Sequence, residues 1–441
     1  MRATARLALS AIALACCALI FEAGFRRRGS ALTCPTPRVR FERLTRGKWV
    51  PKPGRYDEDA LDREWGTRWW ACQRPYYSGW KTDELPMESK LELARRRMLR
   101  IASFDWHPEL GTGPLGWNGT AFALAALNSE HGFILIGDSL MKQAFDMLSI
   151  MMTVPDMHGQ FDLFVESRTM RDGYPQEFWT TVTLNHHSPH FPRFRAALPH
   201  VPDERFKRPL LSFARNELLL PWPELQGMLS EYGHRKWNPM AGWYLYNATY
   251  EEFLPSDPTP RWNGERNSVV LLNSGAHWNA NRFNLTDQRI ADAMFVDMAD
   301  RVSRRLAARP KLDIIYRSMT VGHFNCWEAE APARNALQLG SELNRPDPAK
   351  PWEATFGWTS FPSFDQAWSD ALARAAPRQR TPHGGRAVFL NVSDVTGQRI
   401  DGHALGESLT DCLHWCTPTI PGTWLRMMAY IVLDSGKRSC S

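Results

Sequence analysis

Ser139, Asp411 and His414 are the residues of this 441-residue chain whose types and spacing would make a nucleophile with its own base. Ser139 stands in Gly137-Asp138-Ser139-Leu140, directly after the apolar run Phe133-Ile134-Leu135-Ile136. A serine where a strand gives way to a helix projects its oxygen above the sheet, and the helix N-terminus turns backbone N–H groups toward any oxyanion formed there. Such a triplet also arises by chance, and its serine then serves as a helix N-cap. A serine hydroxyl needs a base, and the base needs an orienting group. Asp411-Cys412-Leu413-His414-Trp415-Cys416 offers both: a local turn sets the carboxylate against one imidazole nitrogen and leaves the other for the serine. Two further readings of these six residues are a disulfide-bonded surface loop with an incidental His and a zinc site of Cys412, His414 and Cys416. Ligand spacings of two give poor tetrahedral geometry, so no metal is expected. Asp401-Gly402-His403 is a rival carboxylate–imidazole pair, and His186, His187 and His190 form a second His group, read as a solvated polar loop.

Several elements must position these residues. Met87 to Ile101 is helical, with Leu91, Met98 and Ile101 available for packing. Phe133–Ile136 reads as a buried parallel strand and Leu140 to Met152 as the helix after it, with Met141, Phe145, Leu148 and Met152 on one face. Val269–Leu272, Leu312–Tyr316 and Ala387–Leu390 are further strands, and Thr286–Leu306 is a long amphipathic helix. This alternation predicts an α/β fold, a three-layer α/β/α sandwich with a mostly parallel sheet. Functional residues of such sheets gather beyond the carboxyl ends of the strands, where Ser139, Asn273, Arg317 and Asp394 all fall. The expected organisation is an N-terminal targeting segment (1–28), an irregular Trp- and Pro-rich subdomain (29–86) and an acyl-transfer domain (87–441). Residues from Ser341 to Gly385, rich in Pro, Trp and Arg, read as an insertion over the core.

Gly137–Gln143 (GDSLMKQ), the late Asp411–Cys416 and the proline-containing tail to Trp424 together resemble the PC-esterase family, which includes the trichome-birefringence-like polysaccharide O-acetyltransferases and fungal relatives. Further blocks fall in the family's order. They are Gly47-Lys48-Trp49-Val50, Asp105-Trp106-His107-Pro108, Asn273-Ser274-Gly275-Ala276-His277-Trp278, Tyr316-Arg317-Ser318 with Gly322-His323-Phe324, and Asp394-Val395-Thr396 with Arg399 to His403. The resemblance spans about Gly47 to Leu433. It implies an SGNH-hydrolase-like fold, a Ser139–His414–Asp411 triad and Asn273 at the oxyanion hole, although Asn273 also reads as a turn residue at a strand end. Gly137, Asp138, Gly275, His277, Arg317, His323 and His403 complete the expected oxyanion and substrate pocket, with His277, His323 and His403 as shapers of its wall. Lys142-Gln143 stands where relatives carry Arg-Asn or Arg-Gln, Ala276 is an added residue, and Gly422-Thr423-Trp424-Leu425 replaces the plant tail. These departures leave the triad intact and loosen any inference of plant acceptor specificity.

Composition and address narrow the function further. The chain is 43% hydrophobic and 23% charged with a net charge of +6, its Lys and Arg spread along it, which argues against nucleic-acid binding. Arg2 and Arg6 precede the apolar run Leu7–Phe21, the pattern of a signal peptide or type II signal anchor. Six cysteines outside that run (Cys34, Cys72, Cys326, Cys412, Cys416 and Cys440) suit disulfides, pairing unspecified, and sequons stand at Asn118, Asn247, Asn284 and Asn391. The expected protein is a polysaccharide O-acetyltransferase of the secretory pathway, in the Golgi membrane or secreted after cleavage. It would need no bound cofactor, an acetyl donor such as acetyl-CoA as co-substrate, and a glycan acceptor. An acetyl esterase with the same triad and a non-catalytic glycan-binding protein are the alternatives.

Overall fold

The computed structural model describes residues 37–65, 87–111, 113–153, 164–169, 179–234, 249–256, 264–320, 357–376, 385–405 and 411–434, together with 322, 323, 326 and 329–333. The targeting segment 1–28, Cys34, Cys72, Cys440 and the Asn247 sequon lie outside them. A unit Met1–Phe41 with Arg438–Ser441 is represented by residues 37–41, the start of a helix Pro37–Thr45. All that follows concerns the compact unit Glu42–Lys437.

Its strands are β1 (Gly47–Pro51), β2 (Phe104–Pro108), β3 (Phe133–Gly137), β4 (Phe164–Thr169), β5 (Trp179–Leu184), β6 (Leu211–Arg215), β7 (Ser268–Asn273), β8 (Leu312–Arg317), β9 (Ala387–Leu390), β10 (His403–Leu405) and β11 (Asp411–Trp415). Seven of them form one sheet in the order β4-β5-β6-β3-β7-β8-β9. From β6 to β9 the pairing is parallel, and β4 and β5 close one side antiparallel. Every residue of β3, β7 and β8 is buried, which is why their runs are apolar throughout instead of alternating. Helices Gly119–Leu127, Ser139–Thr153 and Thr419–Asp434 pack together over the sheet, and Gln288–Ala307 packs with Phe361–Ala375 in a second layer. The result is a three-layer α/β/α sandwich.

Two readings of the sequence change here. The stretch taken as an insertion contains the helix Phe361–Ala375, which lies between β8 and β9 in sequence and packs on β9. Pro362 occupies its first turn, where a missing N–H costs nothing. Phe364 stacks on Phe295 at 3.9 Å and Trp368 on Tyr316 at 4.2 Å. The helical spacing of Phe361, Phe364, Trp368 and Leu372 was masked by Pro- and Arg-rich flanks, residues 334–356 and 377–384 being outside the described set. Likewise, part of the stretch read as irregular is ordered: Gly47–Pro51 is β1, paired antiparallel with β2, and Glu58–Trp65 is helical. The Gly47 N–H reaches Asp394 Oδ2 at 3.1 Å and Trp49 Nε1 the Val395 carbonyl at 2.9 Å, so its anchors are distant in sequence.

Candidate active site

Ser139 is the first residue of its helix and follows β3 by two positions. Gly137 permits this turn, because a Cβ there would lie 2.3 Å from the Asn273 carbonyl oxygen. Asp138 caps the helix, its Oδ1 accepting the Leu140 N–H at 2.9 Å. The candidate base, His414, arrives on β11, the partner of β10 in a two-stranded sheet. His414 Nε2 is 2.7 Å from Ser139 Oγ, and His414 Nδ1 is 2.9 Å from Asp411 Oδ2 and 3.1 Å from Oδ1. Asp411 is steadied by the backbone N–H groups of Leu413 and His414, at 3.2 and 3.0 Å. The arrangement is consistent with an Nδ1–H that donates to the carboxylate and a serine O–H that donates to Nε2.

The electrostatics follow from this contact. Burial alone would raise the Asp411 carboxyl, but the His414 charge and the hydrogen bonds from His414 and Leu413 hold it well below the usual range. Burial opposes a charge on His414, yet the Asp411 charge and hydrogen bond raise its pKa, with Asp138 assisting and Arg215 opposing.

A bracing network holds β11. Gln143, one turn beyond Ser139, donates Nε2–H to the Trp415 carbonyl at 2.9 Å and accepts the Trp415 N–H at 3.2 Å. His403 is fully buried, stacks on Trp415 at 4.0 Å and donates from Nδ1 to the His414 carbonyl at 3.0 Å. Its Nε2 faces His323 Nδ1 at 2.7 Å. Burial lowers His323 to about 4 and, with the neighbouring His323, puts His403 well below its ordinary value. Asp401, the carboxylate two residues before His403, pairs instead with Arg399 at 2.8 Å. Cys412 is disulfide-bonded to Cys326, and Cys416 is disulfide-bonded as well.

The other expected pocket residues divide. Asn273 neighbours Gly137 across the β3–β7 pairing, but its amide donates to the Arg317 carbonyl at 3.3 Å and to Met319 Sδ at 3.2 Å. Gly275 lets Met319 approach, since a Cβ there would lie 2.7 Å from its sulfur. Arg317 is fully buried at the end of β8. His277 Nε2 lies 3.4 Å from Glu217 Oε1. Arg215 and Arg282 reach the same carboxylate at 3.3 and 2.8 Å. Burial lifts Glu217 to about 7 against the pull of Arg282 and Arg215. Burial, then Arg282, Arg215 and His414, push His277 well below its ordinary value. Glu217, Arg215 and Arg282 were not singled out from sequence; Arg215 ends β6 and Asn216-Glu217 follow it, and the short run of that strand gives little periodic signal. His186 Nε2 contacts the Phe206 carbonyl at 3.1 Å and His187 is exposed. Among the described residues, no group of three His, Cys, Asp or Glu side chains is placed to hold a metal ion.

No family model matches the chain. It is 24% identical over 198 residues to Protein trichome birefringence-like 14 of Arabidopsis thaliana, which covers 36% of this chain and 43% of that protein. It is 27% identical over 81 residues to Probable xylan O-acetyltransferase 8 of Oryza sativa subsp. japonica, covering 14% of this chain and 17% of that protein. The chain thus spans less than half the length of either relative, and over those segments it is similar to trichome-birefringence-like and xylan O-acetyltransferase proteins.

Proposed function

We propose that this chain is a serine-dependent O-acetyltransferase that carries an acetyl group from a donor to a polysaccharide hydroxyl. The 2.7 Å approach of His414 Nε2 to Ser139 Oγ, with Asp411 behind the imidazole, is the observation that carries the reading. Ser139 Oγ attacks the acyl carbonyl while its proton passes to His414 Nε2, and Asp411 stabilises the imidazolium. The tetrahedral oxyanion forms beside the N-terminus of the Ser139–Thr153 helix, whose backbone N–H groups suit it. Asn273 is the candidate side-chain donor to it, reached by exchanging its Met319 contact for the oxyanion. Collapse gives an acetyl ester on Ser139 and a leaving group that takes the His414 proton. A sugar hydroxyl then attacks the ester as His414 accepts its proton, and Ser139 is regenerated.

The name of one relative, Probable xylan O-acetyltransferase 8, supports acetyl transfer with a polysaccharide as acceptor. An acetyl-CoA-type donor, residence in the secretory pathway and anchoring through residues 1–28 complete the reading. No helix among the described residues is long and apolar enough to cross a membrane. One observation favours water as a second acceptor, and with it an esterase activity: the His414 and Asp411 side chains keep 31% and 33% of their surface exposed.

The direct test incubates the full chain with p-nitrophenyl acetate, quenches it early and locates the acetyl group by peptide mass mapping. The expected adduct is on Ser139 and is absent from Ser139→Ala. An unchanged rate in Ser139→Ala would overturn the assignment.

A further inference from the structure

Below Ser139 the ends of three neighbouring strands carry a row of buried polar side chains. Gly137 pairs with Asn273 across β3 and β7, and Leu272 pairs with Tyr316 across β7 and β8, so Asp138, Asn273 and Arg317 succeed one another along the carboxyl edge. Each is 0% exposed. The Arg317 guanidinium lies over the Trp424 ring at 4.3 Å and its Nη1 donates to the Ser318 carbonyl at 3.2 Å. Among the described residues, Arg317 Nε and Nη2, Asp138 Oδ2 and Asn273 Oδ1 have no hydrogen-bond partner. An arginine held wholly inside the protein with two N–H faces unspent is a costly way to fill space, which an apolar side chain fills better. The carboxylates that face it are Asp138 and Asp365. Asp365 accepts the Met319 N–H at 2.8 Å, while Asp138 is the residue next to the nucleophile.

We propose that Arg317 is a positioning residue for the Ser139–His414 pair, acting through the Asp138 carboxylate that caps the nucleophile helix. Burial raises the Asp138 carboxyl above its ordinary range and Arg317 is the chief charge opposing that rise; the ionised form is the stronger cap at a helix N-terminus. Asp138 also acts on His414, whose facing charges are Asp411, Asp138, Arg215 and His277. Asp138 itself faces Arg317, His414 and Glu217. Without the guanidinium, the carboxyl takes up a proton. The turn that aims Ser139 loosens, and His414 loses one of its two negative neighbours, which lowers the pH at which it becomes a free base. This inference rests on the reading of Ser139 as nucleophile and His414 as base.

The test measures the single-turnover acetylation rate of the full chain with p-nitrophenyl acetate across pH, for Arg317→Met, Arg317→Lys, Asp138→Asn and Ser139→Ala. Arg317→Met and Asp138→Asn are expected to lower the plateau rate by about ten- to a hundred-fold. Both are expected to move the acid limb to lower pH by about one unit, the effect of a nearby unit charge at intermediate dielectric. Arg317→Lys, which restores the charge, returns the limb toward its original position. Asp138→Asn, near-isosteric with the native residue, carries the decision if Arg317→Met does not fold, and near-ultraviolet circular dichroism separates the cases. A Ser139-dependent rate that falls with the limb unmoved overturns this inference alone. A rate that survives Ser139→Ala overturns the nucleophile assignment and the inference with it.

Discussion

In the proposed mechanism His414 would act as base for Ser139 only while its imidazole is neutral, and its Asp411 partner opposes that state by favouring the charged form. The acid limb of kcat/KM is therefore expected above the ordinary histidine value of about 6.5. Asp411→Asn should shift that limb downward while greatly reducing the plateau; a limb that stays in place would detach His414 from the pH profile. His414→Ala is expected to lose on the order of 10⁴-fold or more in turnover. His403→Ala removes the Trp415 stack and the hydrogen bond to the His414 carbonyl. That should cost about 1–3 kcal/mol of stability with a smaller loss of activity. Steady-state rates and thermal melts of the two variants decide, and the reverse ranking would move the base to His403. The candidate site of Ser139, Asp411 and His414 stood out in sequence because each residue lies in a short contiguous motif, and the structure brings their side chains together. Glu217 and Arg282 did not, since the contact that joins them spans 65 residues from the turn after β6 to the loop after β7. Gln143 was visible only within the family-like Gly137–Gln143 block, and its two bonds to Trp415 reach across 272 positions.

Among the elements, β11 has little intrinsic support. It is a five-residue strand paired with β10, and it delivers both Asp411 and His414. Its position depends on Gln143, on His403 and on the Cys326–Cys412 disulfide, which links it to the segment after β8 across 86 residues. Cys326→Ser with Cys412→Ser is expected to cost about 2–5 kcal/mol. It should also lower the acetylation rate beyond what a global melt explains, because the loosened strand carries the base. Unaltered kinetics below the melting transition would remove the disulfide from the account. Of the four strands read from sequence, β3, β7 and β8 have apolar runs buried throughout, and β9 alternates. β5 escaped notice because three threonines interrupt its apolar pattern, and β1 because its pairing partner lies more than fifty residues on. The helix Phe361–Ala375 was misread as part of an insertion because composition was weighed above the spacing of its aromatic residues.

For the molecule as a whole, fold class was the most legible property, because alternating apolar strands and amphipathic helices admit few arrangements. The cellular address is argued from residues outside the described set and from sequons, and it has its own test. Asn118, Asn284 and Asn391 are all exposed on the folded unit. Expression of the full chain in a secretory host should yield a product whose mass falls on removal of N-linked glycans; a product whose mass does not change would contradict a lumenal route. The central claim concerns acyl transfer, and one measurement reaches it most directly. The full chain is incubated with radiolabelled acetyl donor and a panel of deacetylated polysaccharides, and label is then separated into protein, glycan and free acetate. The account predicts label on a glycan that disappears in Ser139→Ala. Serine-dependent release of acetate with no label on any glycan would make the protein an esterase, and glycan labelling that persists in Ser139→Ala would contradict the mechanism itself.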